Sequence, residues 1–229
     1  MLPVGEEKTR RVREMFDTIA PRYQIVNRMM TFGLDSRWRR QAVRSLGLPA
    51  RSVVLDVAAG TGDLSAEARR QGLVAVGVDL SMGMLQADRH NAASAQCDAA
   101  GLPVASASVD GVLCGYALRN FTDLPACLGE MARVLRPGGR VALLEVAEPP
   151  AGLTRVGFDM WFNHIVPVIG GAISDRDAYQ YLPKSVAYLP GPDDLRAMLL
   201  AVGFSGVNRQ LLSGGLSQLL TATREGVAS

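Results

Sequence analysis

Residues 54–63 read Val54-Leu55-Asp56-Val57-Ala58-Ala59-Gly60-Thr61-Gly62-Asp63. A short apolar run, Ser52 to Val57, enters a loop carrying Gly60 and Gly62, and a helical pattern from Leu64 to Gln71 leaves it. Glycine lets the backbone turn sharply and approach a ligand closely. A second apolar run, Leu73 to Leu80, contains Asp79 near its end, about 20 residues past the loop, where a carboxylate can accept from ribose hydroxyls. Strand, glycine turn, helix and strand form a βαβ unit, and ligands of open parallel sheets bind beyond the carboxyl ends of the strands. A tight turn without a ligand is the bland alternative. The joint presence of Asp56, two glycines and Asp79 in one unit argues for the ligand.

The spacing narrows the ligand class. Gly60-Thr61-Gly62-Asp63 lacks the GxGxxG period of the dinucleotide fingerprint. Asp56 and Asp63 flank the loop with negative charge, which repels a pyrophosphate and suits the sulfonium and amino groups of S-adenosylmethionine. Asp98, with Ala99 beside it, follows a weak third strand and is expected at the adenine edge, a simple turn aspartate being the alternative. Gly115, at the end of a fourth strand, is expected to leave room beside the cofactor.

Outward from the loop, apolar runs and helical patterns alternate. Met82 to His90 reads as helix, Ala93 to Cys97 as strand, Val109 to Tyr116 as strand and Leu124 to Leu135 as a helix stopped by Pro137-Gly138-Gly139. Arg140 to Val146 is a fifth strand; Gly206 to Leu212 and Ser217 to Thr223 are two more, antiparallel to each other, after a helix from Pro192. The alternation predicts a three-layer, Rossmann-like α/β domain with a mostly parallel seven-stranded sheet. The chain divides into an N-terminal helical segment (1–50), a cofactor-binding core (51–147), a helical insertion over the strand ends (148–190) and a C-terminal helix with two strands (191–229), all in a single domain.

The 229 residues fit one such domain, and 48% apolar with 20% charged residues supports a sizeable core. Net charge is +2 but uneven: residues 1–51 hold eleven basic and five acidic side chains, leaving thirteen against seventeen in the remainder. A basic amino-terminal part attracts anionic surfaces, or is a solvated helix face. Arg10, Arg11, Arg13, Arg37, Arg39 and Arg40 are the candidates for lipid headgroups. Cys97, Cys114 and Cys127 show neither metal-site nor disulfide spacing and read as buried thiols. No secretory leader or spanning segment is apparent, so a cytoplasmic protein is expected, with peripheral contact to the inner membrane face and a homodimer left open.

Beyond the glycine loop, further segments carry a family resemblance: Phe16-Asp17 to Tyr23 with Asn27 following, Leu118-Arg119-Asn120 with Asp123, Val134-Leu135-Arg136-Pro137-Gly138-Gly139 with Leu144-Glu145, Pro167 to Gly170, and Asp177-Ala178-Tyr179-Gln180-Tyr181-Leu182. Asp56 to Asp63 looks like motif I of class I methyltransferases, and the whole set resembles the ubiquinone/menaquinone biosynthesis C-methyltransferases over nearly the full length. The resemblance places Thr61, Asp79, Asp98 and Ala99 on cofactor-binding positions. Two departures stand out: Ala59 replaces a common glycine, and Gly115 stands where some members carry a cofactor-contacting serine. The segment at Tyr116-Ala117 also differs from a common Phe-Gly pair.

The resemblance implies a prenylated quinol methylated at a ring carbon, with S-adenosylmethionine as donor and no metal. Such a carbon becomes nucleophilic on loss of a phenolic proton, so a base and a phenolate-stabilising group are expected. Arg119 and Asn120 are placed at the substrate side, Arg119 to stabilise the phenolate and Asn120 to hold a ring oxygen, unless both merely pin their loop. Arginine is a poor base, with a pKa above about 12. His164 is the alternative base, or a histidine tying the insertion together. Tyr179 and Tyr181 are expected at the second quinol oxygen, Tyr23 over the cofactor, and Trp161 and Phe162 in an apolar mouth for the tail. Demethylmenaquinol is the favoured acceptor, since Leu212-Ser213-Gly214-Gly215-Leu216 looks like forms from menaquinone-making bacteria. The ubiquinol precursor, another phenolic or sterol-like substrate, and a non-catalytic cofactor-binding role are the rivals. Nucleic acid is not expected as a partner.

Overall fold

The computed structural model describes residues 5–90, 93–147, 149 and 185–226. Three helices open the chain: α1 (Gly5–Ile19), α2 (Tyr23–Met30) and α3 (Asp35–Ser45), with a 3-10 turn at Ala20–Arg22 where Pro21 interrupts the pattern. Then β1 (Val53–Val57), α4 (Asp63–Arg70), β2 (Val74–Asp79), α5 (Met82–Gln86), β3 (Ala93–Gln96), β4 (Val109–Gly115), α6 (Leu124–Val134) and β5 (Leu135–Val146) alternate. Helix α7 (Pro192–Ala201) and strands β6 (Phe204–Leu212) and β7 (Ser217–Arg224) complete the described fold. The seven strands lie in the order β3-β2-β1-β4-β5-β7-β6. Neighbours from β3 to β5 pair in parallel, and β7 is antiparallel to both β5 and β6.

The strand alternation sorts the core. Leu55 and Val57 of β1 face one buried layer with Val112 and Cys114 of β4, covered by α6 and α7. Val54 and Leu113 face the opposite layer, where α3 and α4 supply Trp38, Ala42, Leu64 and Ala68. A smaller cluster of Ile19, Ala20, Val26 and Met84 ties the amino-terminal helices to α5. Chain order reverses between β1 and β4, so their carboxyl ends form the switch point of the sheet, where the crevice opens.

Two expected elements differ. Helix α5 ends at Gln86 rather than His90. The helix before β5 stops at Val134, because Leu135 is already extended (φ −71°, ψ 136°) and pairs with Val109. Pro137-Gly138-Gly139 is therefore an irregularity inside β5, with Gly138 at φ +79°, rather than the stop of α6. The insertion expected over 148–190 lies outside the described residues apart from Pro149 and residues 185–190, and so do His164, Tyr179, Tyr181, Trp161 and Phe162. Among the described residues, no helix is long and apolar enough to cross a membrane.

Candidate active site

A cavity of about 380 Å³ opens at the switch point. That lies within the roughly 300–1,000 Å³ typical of small-molecule sites. Its floor is Val57, Ala58 and Gly60 at the end of β1, and Gly115 and Tyr116 at the end of β4; Asp79 ends β2, and Asp98 lies just past β3. Ala58 (φ +56°) and Tyr116 (φ +60°) are both left-handed without being glycine. Such conformations cost on the order of 1–3 kcal/mol each and cluster at ligand sites.

Asp79 is the organiser of the cofactor side. Its Oδ2 accepts from the Gly60 N–H at 2.8 Å and its Oδ1 from the Ser81 N–H at 2.8 Å. One carboxylate thus fixes the glycine loop and the start of α5 while still facing the cavity. Burial pushes its pKa up, against the pull of those backbone bonds. Gly60 has φ +57°, and a Cβ there would meet no atom within 4 Å, so its backbone presents an open face. Asp98 bonds the Ala100 N–H at 2.9 Å and lines the cavity with Ala99. Tyr23 also lines it, its phenol held protonated by burial.

Asp56 does not line the cavity. Alternation along β1 turns it to the face that α4 covers, and it is 0% exposed. Its Oδ2 accepts from the Ser65 N–H at 2.8 Å and the Ser65 hydroxyl at 2.7 Å, satisfying a free donor in the first turn of α4. Burial raises its pKa to about 7. Asp63 faces outward instead, toward Gln24, Arg39 and His90. The two acidic flanks therefore brace the loop from behind, and the carboxylates at the strand ends that line the cavity are Asp79 and Asp98. Thr61 is 2% exposed and bonds Asp63 at 3.4 Å, so it too sits behind the wall. Gly62 is shaped by Asp88, whose carboxyl would lie 2.8 Å from a Cβ there.

Gly115 lines the cavity, but its need for glycine comes from the other side: a Cβ would lie 2.7 Å from Leu64 Cδ1, because position 115 shares a face with Leu113. Ala59 is accommodated by a second glycine, since a Cβ on Gly77 would come within 2.9 Å of the Ala59 methyl. Cys114 and Cys127 are buried as expected, whereas Cys97 is only half-buried at the cavity wall; burial pushes its thiol up to about 11.

The opposite rim is the 3-10 turn Leu118–Asn120. Asn120 lines the cavity; it is 8% exposed, and its Oδ1 has no hydrogen-bond partner among the described residues. Arg119 does not line it. Its guanidinium turns inward, ion-pairs with the fully buried Glu145, and donates to the Tyr116 carbonyl at 2.9 Å and the Ser185 hydroxyl at 3.1 Å. The pairing of Arg119 with Asn120 thus resolves into an anchor and a group on the wall.

Helix α1 closes the cavity from above with Thr9, Val12, Arg13 and Phe16, which composition alone left as a solvated or lipid-facing surface. Asp17 ties it down, accepting from the Ser81 hydroxyl at 2.5 Å and the Gly83 N–H at 2.9 Å. The detectable signal was Phe16-Asp17 within the family resemblance. Of the arginines proposed for lipid, Arg39 is unavailable: its side chain is 12% exposed and ion-paired with Asp35 and Asp63.

Cavity size, paired carboxylates, an open glycine backbone and an orphaned amide oxygen together fit S-adenosylmethionine beside a hydroxyl-bearing acceptor. Comparison with known proteins agrees on the fold and the family. The [4+2]-cyclase SpnF superposes with a TM-score of 0.70 at 16% identity, covering 99% of both chains. A SAM-dependent methyltransferase of Thermotoga maritima, described as a possible histamine N-methyltransferase, gives 0.67 at 16% identity over 93% of this chain and 100% of that one. In sequence, the demethylmenaquinone methyltransferase of Thermus thermophilus is 40% identical over 92% of this chain and 100% of its own. Its counterpart in Deinococcus radiodurans is 41% identical over 93% of each. The ubiquinone/menaquinone biosynthesis C-methyltransferase UbiE of Geobacter sulfurreducens is 38% identical over 95% of this chain and 90% of its own. With residues 4–224 matching the ubiE/COQ5 methyltransferase family, the chain belongs to that family and carries the fold of class I S-adenosylmethionine-dependent methyltransferases.

Proposed function

We propose that the protein methylates a ring carbon of a demethylated prenyl quinol, converting demethylmenaquinol to menaquinol with S-adenosylmethionine as donor. The observation that carries this reading is Asn120: a buried amide oxygen without a partner among the described residues, on the wall opposite the carboxylates. An unpaired buried acceptor costs about 1–3 kcal/mol, which a hydroxyl donor in the cavity relieves. A quinol presents such a hydroxyl beside the carbon to be methylated. The two relatives named demethylmenaquinone methyltransferases, each matching more than nine-tenths of the chain, support the choice of ring.

The cofactor, when bound, supplies a methyl already electrophilic on sulfonium. Asp79 would hold its ribose hydroxyls, Asp98 and Ala99 its adenine edge, and the Gly60 backbone would allow close approach, with Tyr23 and α1 closing over it. Asn120 would orient the ring oxygen, so that ring carbon and methyl meet in line; such alignment supplies much of the rate. Arg119 acts as a positioning residue, its charge neutralised by Glu145 and its backbone carrying Asn120. The proton leaves to a base other than Arg119; His164 is proposed for that role, with Tyr179 and Tyr181 at the second oxygen and Trp161 and Phe162 toward the tail. Peripheral membrane contact, through the exposed arginines other than Arg39, would bring the long-tailed substrate to the site.

Competition between demethylmenaquinol and the ubiquinol precursor for labelled methyl tests the reading. Preferential labelling of demethylmenaquinol supports it, and exclusive labelling of the benzoquinol overturns the ring assignment. In the same assay His164→Ala lowers turnover by about 100-fold if it is the base. Near-normal turnover removes it from the mechanism.

A further inference from the structure

Lys8 is the one lysine or arginine on the buried face of α1, spaced with Val12 and Ile19 and only 5% exposed. A lysine so buried ordinarily has a carboxylate beside it. Among the described residues Lys8 has no ion pair; its Nζ instead donates to the Phe121 carbonyl at 2.8 Å and the Arg119 carbonyl at 3.2 Å. The ammonium also sits over the Tyr188 ring, 4.0 Å from its centroid. Charge-assisted bonds to carbonyls and a cation–π contact are what offset the desolvation of such a group. The two carbonyls it grips are those on either side of Asn120.

We infer that Lys8 is a positioning residue of the acceptor side: its ammonium, inserted from α1, clamps the carbonyls flanking Asn120 and so fixes the orphan amide oxygen that faces the cavity. Arg119 is fastened to Glu145, Tyr116 and Ser185 on its side-chain side, and Lys8 fastens the same turn on its main-chain side. Among the described residues the Asn120 side chain has only a 3.5 Å bond from Nδ2 to the Tyr116 carbonyl, so its direction is set by its neighbours. The clamp needs the protonated amine, because a neutral amine has two donors, weaker bonds and no cation–π attraction. Burial lowers the pKa of Lys8, so the clamp loosens at a lower pH than an exposed lysine would deprotonate. The inference rests on the reading of Asn120 as the acceptor-side group.

The test compares wild type with Lys8→Met and Lys8→Arg in the full-length protein. Lys8→Met is expected to lower kcat/KM for demethylmenaquinol by about 30-fold, mainly through kcat, while the Kd for S-adenosylhomocysteine by calorimetry changes by less than about 3-fold. Lys8→Arg is expected to recover most of the loss and to abolish an alkaline fall in kcat seen in wild type, since arginine stays charged. A Lys8→Met protein with wild-type kcat/KM overturns the inference, and so does a loss that falls equally on cofactor affinity, which would mark a plain latch for α1. If Lys8→Met does not fold, an unchanged alkaline limb in Lys8→Arg overturns it alone. One readout needs no turnover: the Asn120 side-chain amide pair in the NMR spectrum is sharp and dispersed in wild type and collapses toward free-amide shifts in Lys8→Met. Failure of wild type to methylate any quinol, with that NMR change still present, would sink the proposed substrate and leave the clamp standing. An unchanged amide pair would sink the clamp.

Discussion

The two rims of the cavity are built by opposite means. On the cofactor rim, carboxylates accept from backbone N–H groups: Asp56 from Ser65, Asp79 from Gly60 and Ser81. On the acceptor rim, cations donate to backbone carbonyls: Arg119 to Tyr116, Lys8 to Arg119 and Phe121. The partners of the first rim all lie between residues 56 and 81, whereas those of the second bridge α1, the turn after β4, Glu145 and Ser185. One rim is a local βαβ device; the other exists only once distant segments have met. The cofactor rim should therefore tolerate damage to the acceptor rim, and single changes at the acceptor rim should be felt by the distant segments it joins.

The largest expected effect lies at Glu145. Removing it leaves Arg119 charged and buried, so Glu145→Ala should cost about 3–5 kcal/mol in a urea or guanidinium titration. Pairing Arg119→Met with Glu145→Leu should restore most of that stability without restoring turnover. A double variant as unstable as Glu145→Ala would show that the ion pair is not what the rim depends on.

Asp79→Ala comes next and reads the other rim. Loss of a carboxylate that holds two backbone donors and faces the ligand should weaken S-adenosylhomocysteine about 100-fold by calorimetry, near 3 kcal/mol. Asn120→Ala should leave that affinity within about 3-fold while turnover falls. Equal losses of cofactor binding in both variants would erase the distinction between the rims.

A pH signature separates them further. The folded chain holds the Asp56 carboxyl neutral up to about pH 7, while its ordinary value is 3.8. Between those values the native state binds more protons than the unfolded chain, so stability falls as pH rises from about 4 to 7 and is flat above. One such group contributes up to about 1.4 kcal/mol per pH unit in that window. Asp79 acts in the same direction. Denaturation of Asp56→Asn across pH 4–8 should show a shallower fall than wild type; an unchanged profile would place the titration elsewhere. The smallest effect is at the N-cap of α6, where Asp123 accepts from the Ala126 N–H at 2.9 Å. Asp123→Ala should lower stability by about 1 kcal/mol in the same titration.

This division also decides what was legible beforehand. The succession of strands and helices and the glycine loop follow from local alternation and turn chemistry, and Gly60 and Asp79 lie where the motif puts them. The charge argument pointed to S-adenosylmethionine through carboxylates that face away from the cavity. Asp56 and Asp63 are conspicuous in sequence, but strand alternation points Asp56 at α4 and Asp63 meets Arg39. Gly115 was read as room beside the cofactor; it lines the cavity, and a Cβ there would also meet Leu64 of α4. Lys8 was invisible because a lysine in an amphipathic helix reads as surface, and nothing local announces the two carbonyls it will meet more than 110 residues away. The motif containing Arg119-Asn120 marked the acceptor rim without revealing that one member would turn inward.

Transfer of a ¹³C-labelled methyl from S-adenosylmethionine to demethylmenaquinol by the wild-type protein, with the product located by mass spectrometry and carbon NMR, addresses the central claim most directly. The account predicts label on the unsubstituted ring carbon, giving menaquinol. Label on a quinol oxygen, or none on the quinol while the protein binds the cofactor, would contradict it.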